Sequence, residues 1–240
     1  MNKQAIALIS PLLKETFEKY KKQGMISIYL WGSVTTNDYN PKTSDIDSIA
    51  IVSNKFDHSL ESTIQKELQK AYTGTNRFGF RIFYEDELKS NTLGTKSVLA
   101  TQMSPRLYIY DLPYWIFIVG KLYAITELTD NPVTHAEALG LRLEEIEDRN
   151  WSDATKIPEN EMQYYIKCLW RIVHILQAIR EQGGQFSYSN VVLHTDQDEI
   201  GIITTLKEIK ASSYASSLFE KHVSELQMFV DGVKRKTTTH

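Results

Sequence analysis

Apolar residues follow two different periods in the first half of the chain. Between residues 4 and 22 they recur every three or four positions with lysines and glutamates between them, which predicts an amphipathic helix that Gly24 ends. The same spacing predicts a second helix over residues 57–72. Short apolar runs rich in β-branched and aromatic residues predict strands at 25–31, 46–52 and 78–84. The predicted order is therefore helix, strand, strand, helix, strand.

The chain after the third predicted strand is mostly helical in pattern. Residues 89–103 are weakly helical, and residues 114–123 predict a fourth short strand that ends near Gly120. Helices are then predicted at about 133–148, 159–182 and 198–231, and the serine-rich stretch 212–217 could break the last of them. We therefore divide the chain into a strand-containing domain of residues 1–128 and an all-helical C-terminal domain of residues 129–240.

Composition argues against several classes of protein. Lys and Arg total 27 against 30 Asp and Glu, a net charge of −3, which argues against a nucleic-acid binder with a basic footprint and against a template-dependent polymerase. The single cysteine, Cys168, cannot form an internal disulfide, and Met1 is followed by polar residues rather than a secretory signal, so we expect a cytoplasmic protein. The most apolar short run, residues 115–119, is far below the roughly 20 residues needed to span a bilayer, so we expect no membrane association.

The candidate chemistry lies between the first two predicted strands. Gly32-Ser33 ends the first strand, and Asp45-Ile46-Asp47 enters the second after eleven intervening residues. Side chains alternate along a strand, so Asp45 and Asp47 are predicted to share one face and to converge on one cation. Mg²⁺ prefers oxygen ligands and usually shares them with substrate phosphates.

The Gly32-Ser33 pair supplies the second half of the candidate site. A glycine lets the backbone approach a ligand closely, and the pair offers amide donors and a hydroxyl to a phosphate group. Either feature alone is weak, because an Asp-x-Asp sequence often only solvates an edge strand or caps an element. The joint order of strand, Gly-Ser, polar connection and Asp-apolar-Asp strand favours a site for a metal-bound phosphate.

The stretch YLWGSVTTNDYNPKTSDIDSIAIV, residues 29–52, closely resembles the signature of the DNA polymerase β-like nucleotidyltransferase superfamily. The layout of a strand-containing domain followed by a helical domain is most similar to bacterial aminoglycoside nucleotidyltransferases and their uncharacterised relatives. The resemblance implies an α/β (α+β) nucleotidyltransferase core with a small mixed β-sheet. It also implies that the helical domain closes one side of a cleft that holds the ligands.

The resemblance also implies roles for four residues. Gly32 and Ser33 would bind the triphosphate of a nucleotide, with ATP the expected one, and Asp45 and Asp47 would be catalytic residues that ligate Mg²⁺ beside the nucleotide. The expected reaction transfers a nucleoside monophosphate, AMP from ATP, to a hydroxyl of an acceptor. The acceptor is a small molecule, with an aminoglycoside as one candidate, or a protein.

The sequence departs from the family pattern at a third acid. Relatives usually supply this carboxylate from the next core strand, where the expected positions here hold Gly79 or Arg81. Arg81 could neutralise phosphate charge instead. The acids that follow the strand either form the first turn of a helix or include one that bends into the site. The candidates to replace the third acid are therefore Glu85, Asp86 and Glu87 after the strand, and Glu144 and Glu147 in the C-terminal domain.

The missing acid keeps a second function open. A nucleotide-binding pseudoenzyme, or an antitoxin-like regulatory partner, would keep the phosphate loop and the two aspartates without efficient transfer. The sequence leaves the acceptor, the preferred base and the oligomeric state undetermined.

Other residue groups have simpler interpretations. The six histidines show no pair at metal-ligand spacing, and Cys168 is predicted to be a buried apolar residue. Aromatic residues at 108–123 could stack a ring but are expected to pack in the core. The acidic residues at 144–148 could bind a cationic acceptor, although such runs usually form a solvated helix face.

Overall fold

The computed structural model describes residues 3–41, 44–74, 77–90, 92–97, 104–180, 186–193 and 197–238. The chain forms two compact units, Met1–Val133 and Thr134–His240. The first unit carries the β-sheet, and the described residues of the second unit are helices and their connections. The assignment of residues 1–128 as a nucleotidyltransferase domain stays a prediction.

The sheet of the first unit is mixed. Its strands in the described residues are β1 (Met25–Trp31), β2 (Ile46–Val52), β3 (Phe78–Tyr84) and β4 (Ile116–Gly120). Their order is β3-β2-β1-β4, with β2 and β3 parallel and the other neighbours antiparallel. The predicted α/β core with a small mixed sheet is therefore confirmed.

Helices surround this sheet and form the second unit. The first unit contains α1 (Lys3–Tyr20), α2 (Leu60–Ala71), α3 (Glu85–Ser90), α4 (Pro105–Asp111) and α5 (Ile125–Leu128). The second unit contains α6 (His135–Asp148), α7 (Glu159–Ile179), α8 (Tyr188–Leu193), α9 (Ile200–Ala211) and α10 (Ser216–Thr238). None of these helices, within the described residues, has the length and apolar character needed to cross a membrane.

The two faces of the sheet belong to different parts of the core. Ile46, Ala50 and Val52 of β2 pack in one cluster with residues of α1 and α2. Ile49 and Ile51 point the other way, into a second cluster with residues of α3 and α4. Because side chains alternate along a strand, Asp47 lies on the second face, at the end where β2 begins.

Two side chains of helix α2 cover the open edge of the sheet at β3. The Ile82 amide donates to Glu61 Oε2 at 3.0 Å, and the Phe78 amide donates to Gln69 Oε1 at 2.7 Å. The spacing fits, because eight residues of helix rise about 12 Å and four residues of strand extend about 13 Å. An unpaired strand edge invites pairing with another chain, so these two side chains protect the edge as well as stabilise it.

Some predicted elements differ from the observed ones. The weak helix predicted at 89–103 is wrong for residues 92–97, which form turns, while residues 98–103 lie outside the described part of the chain. Helix α4 was not predicted, because its aromatic residues suggested strand or loop. The break predicted in the last helix is confirmed, since Ser213 and Tyr214 adopt positive φ angles of 58° and 65° between α9 and α10.

We expect Glu61→Ala to destabilise the protein by about 1–3 kcal/mol, because it leaves the buried Ile82 amide without its acceptor. Urea unfolding followed by circular dichroism measures the change. Lys66→Ala is the control on the same helix, since Lys66 is exposed and such surface substitutions usually change stability by less than about 0.5 kcal/mol. Equal effects of the two substitutions would contradict a specific role for Glu61 at the edge.

Candidate active site

The turn after β1 has a fixed backbone conformation. Gly32 has a φ of +74°, a left-handed value that favours glycine, and begins a 3₁₀ helix, Gly32–Thr35. The buried Thr35 donates from its hydroxyl to the Gly32 carbonyl at 2.7 Å. Thr36 donates from both its amide and its hydroxyl to the Ser33 carbonyl, each at 3.0 Å. These bonds hold the turn in place, and the sequence did not reveal the part played by the two threonines.

Ser33 connects the turn to the aspartate segment. Its hydroxyl lies 3.5 Å from the main-chain oxygen of Asp45, a long hydrogen bond. Asp45 is exposed and immediately precedes β2. The structure therefore brings Ser33 and Asp45 together from two segments of chain.

Asp47 lies between two neighbouring strands. Its partners in register are Trp31 of β1 and Gly79 of β3. A Cβ atom placed on Gly32 would lie 2.9 Å from Asp47 Oδ2, and one placed on Gly79 would lie 2.7 Å from Asp47 Oδ1. Each carboxylate oxygen of the half-buried Asp47 thus faces a glycine.

The donor set suits a hard divalent cation that has few protein ligands. No group of three or more His, Cys, Asp or Glu side chains suited to a metal occurs in the described residues. Mg²⁺ is usually held by one or two carboxylates together with waters and substrate phosphates, so a site of this kind needs no more than two aspartates from the protein. Because neither Gly32 nor Gly79 has a Cβ atom, the Asp47 carboxylate can occupy the space beside them. The joint approach of Asp45 and Asp47 to one ion stays a prediction.

Comparison with known proteins identifies the fold. No family model and no curated protein matches the chain. A crystal structure of the spectinomycin adenyltransferase AAD(9) from Enterococcus faecialis, with ATP and spectinomycin, is similar over 99% of this chain and 100% of that one, with a TM-score of 0.54 at 10% sequence identity. The chain has the same fold as this adenyltransferase. The predicted resemblance is therefore confirmed for the fold, including the helical C-terminal part.

The acids that follow β3 lie far from Asp47 in this fold. Gly79 is opposite Asp47, and Glu85 follows Tyr84 at the other end of the strand. Glu85 is six positions after Gly79, which corresponds to about 20 Å along an extended strand. Glu85, Asp86 and Glu87 form the first turn of α3, which is the helix-start interpretation of this acidic run.

Each of these three acids has partners of its own. Glu85 accepts from Lys89 at 2.8 Å and from the Tyr123 hydroxyl at 2.7 Å, and Asp86 pairs with Lys96 at 2.6 Å. The buried Glu87 accepts from the Ser97 amide and hydroxyl.

The environment of Glu87 sets its protonation state. Burial alone would raise the pKa of Glu87, but hydrogen bonds from Ser97, Lys96 and Thr95 outweigh burial and hold that pKa below its usual value. Glu87 therefore stays ionised and orders the segment after α3.

Arg81, Glu144 and Glu147 are the other residues that could replace the missing third acid. The Arg81 guanidinium donates to Glu61 at 3.2 Å, at the edge of the sheet. In the second unit, Glu144 and Glu147 are exposed on α6, and Glu147 pairs with Lys234 at 2.9 Å.

The remaining candidates from the sequence have structural roles. In the aromatic group, Tyr108, Trp115 and Tyr123 are buried in the second cluster, which confirms core packing for them. Within the acidic run of α6, Glu145 differs from its exposed neighbours because it is buried against Arg142 at 2.7 Å. Cys168 is also buried, and burial raises the pKa of its thiol to about 12.

We expect native Cys168 to resist thiol reagents. At pH 8 a thiol with a pKa of about 12 is about one part in ten thousand thiolate, against about a quarter for an ordinary cysteine of pKa near 8.5. Labelling with a chromogenic disulfide should be more than about 1,000-fold slower in native protein than in urea-unfolded protein. Rapid labelling of the native protein would contradict the buried position.

Proposed function

We propose that the protein is a Mg²⁺-dependent nucleotidyltransferase that transfers AMP from ATP to a hydroxyl group of a small molecule. One observation carries the proposal: the Gly32-Ser33 turn adjoins the Asp45–Asp47 segment at one end of a sheet in a nucleotidyltransferase fold. The order of these residues along the chain supports the same assignment.

Each residue has a role in this proposal. Amide groups of the fixed turn and the Ser33 hydroxyl would hold phosphate oxygens of the nucleotide. Asp45 and Asp47 would hold Mg²⁺, which when bound polarises the α-phosphate and neutralises its charge. The acceptor oxygen forms a bond to the α-phosphorus, the bond to pyrophosphate breaks, and the hydroxyl proton passes to a base or to water.

The acceptor class is proposed from the structural neighbour. That enzyme was crystallised with ATP and spectinomycin, so spectinomycin and related aminocyclitols are the first acceptors to test. The exposed acids Glu144 and Asp148 of α6 are candidates to attract a cationic acceptor, whereas Glu147 pairs with Lys234 at 2.9 Å.

A second candidate function is a nucleotide-binding protein with little or no transfer. The glycine opposite Asp47 favours it, since that position carries no carboxylate to act as a base. Incubation with α-labelled ATP, Mg²⁺ and a panel of hydroxyl acceptors separates the two functions. Labelled acceptor with release of pyrophosphate supports transfer, whereas Mg²⁺-dependent ATP binding without product supports the second candidate.

We expect Asp47→Asn to weaken Mg²⁺-dependent ATP binding by about 10- to 100-fold or more, because it removes a ligand charge without changing the side-chain volume. Isothermal titration calorimetry with and without Mg²⁺ measures the effect, and circular dichroism checks the fold. Asp130→Asn is the matched control, since Asp130 is exposed and lies outside the site. Unchanged affinity in the Asp47 variant would count against the proposed function.

We expect Ser33→Leu to weaken ATP binding far more than it weakens folding. The bulky side chain would fill the space beside the turn and remove the hydroxyl, while Ser33 itself is only half-buried. Calorimetry measures ATP affinity, and urea unfolding measures stability, with Ser62→Leu on the exposed side of α2 as the control. A folded Ser33→Leu protein that binds ATP normally would make the turn purely structural.

A further inference from the structure

Gly79 has no conformational reason to be a glycine. Its φ angle lies outside the left-handed region, unlike that of Gly32, and it sits inside a regular strand in register with Asp47. A glycine within a strand usually weakens the strand, because it has no side chain to pack. Its presence at this position therefore needs another explanation.

The explanation lies in the Asp47 carboxylate. A Cβ atom on Gly79 would lie 2.7 Å from Asp47 Oδ1, closer than real Cβ contacts, whereas the next atom, the Ile46 carbonyl oxygen, would be 3.5 Å away. On the opposite side, Gly32 leaves the equivalent space for Asp47 Oδ2. The two glycines therefore allow the orientation that the Asp47 carboxylate adopts.

We propose that Gly79 is a positioning residue that sets the orientation of the Asp47 carboxylate for Mg²⁺ and the nucleotide phosphates. The proposal rests on the proposed function. A methyl group at position 79 would rotate the short Asp47 side chain at a lower energy than it would shift the backbone, because the atom in contact is the end of a side chain. That rotation would turn the carboxylate away from the direction that a metal ligand must keep.

A consequence follows for the third acid. A longer side chain at 79 begins with the same Cβ atom, so it cannot coexist with Asp47 in its present orientation. A carboxylate that assists the acceptor hydroxyl must therefore come from another position than the one opposite Asp47.

The test is Gly79→Ala, assayed by calorimetry for ATP affinity with and without Mg²⁺. We expect the increase in affinity that Mg²⁺ provides to fall by about 10- to 100-fold, with ATP affinity in the absence of Mg²⁺ unchanged. Mn²⁺ binding in the presence of ATP, followed by electron paramagnetic resonance, gives a second readout that does not depend on turnover. Gly140→Ala is the matched control, because a Cβ on Gly140 of α6 meets no atom within 4 Å.

A double-mutant cycle with Asp47→Ala tests whether Gly79 acts through Asp47. If it does, Gly79→Ala will cause no further loss once Asp47 is alanine. Additive losses, or a folded Gly79→Ala protein with normal Mg²⁺-dependent ATP binding, would overturn the proposal.

Three further outcomes are decisive. If Gly79→Ala alone fails to fold and the Asp47→Ala/Gly79→Ala protein folds, the contact with Asp47 is supported. If neither folds, Gly79 serves the strand itself and the proposal is wrong. Wild-type protein that binds no ATP in the presence of Mg²⁺ would instead overturn the proposed function, and this inference with it.

Discussion

The parallel pairing of β2 with β3 is the constraint on which the rest of the first unit depends. Parallel neighbours cannot be joined by a tight turn, so the chain must cross over, and α2 makes that crossing. The same helix then covers one face of the sheet, and its Glu61 and Gln69 side chains accept hydrogen bonds from amides at the edge of β3. One topological requirement thus accounts for a core helix and a protected edge.

The pairing also decides which residues can meet Asp47. Parallel strands start at the same end of the sheet, so the first residues of β3 lie beside Asp47 and its last residues lie far away. Gly79 is therefore adjacent, and Glu85 is about 20 Å distant. An antiparallel β3 would have reversed this arrangement and brought the acidic turn of α3 to the aspartates.

The sequence predicted the strands well and the surroundings of the site poorly. β1, β2 and β3 begin and end where the apolar runs do, because each run is bounded by glycine or polar residues. The turn at Gly32 and the strand position of Asp47 followed from spacing alone. The contact of Asp47 with Gly79 did not, because register between strands distant in sequence depends on tertiary packing. Helix α4 was missed because its residues 107–111 are all buried, so no exposed polar face marks a helical period in the sequence.

The glycine at 79 has two opposite effects on the proposed reaction. It removes the place from which a general base could act, and such a base is typically worth about 10² to 10⁴ in rate. It also preserves the orientation of Asp47, and phosphoryl transfer depends mainly on positioning and on neutralising phosphate charge. In the proposed reaction, neutralisation of phosphate charge by a metal is usually the larger contribution, so a site that keeps Asp47 in place would retain it and give up the smaller one. Slow transfer without a base on β3 is thus physically consistent with the roles proposed for Asp45 and Asp47.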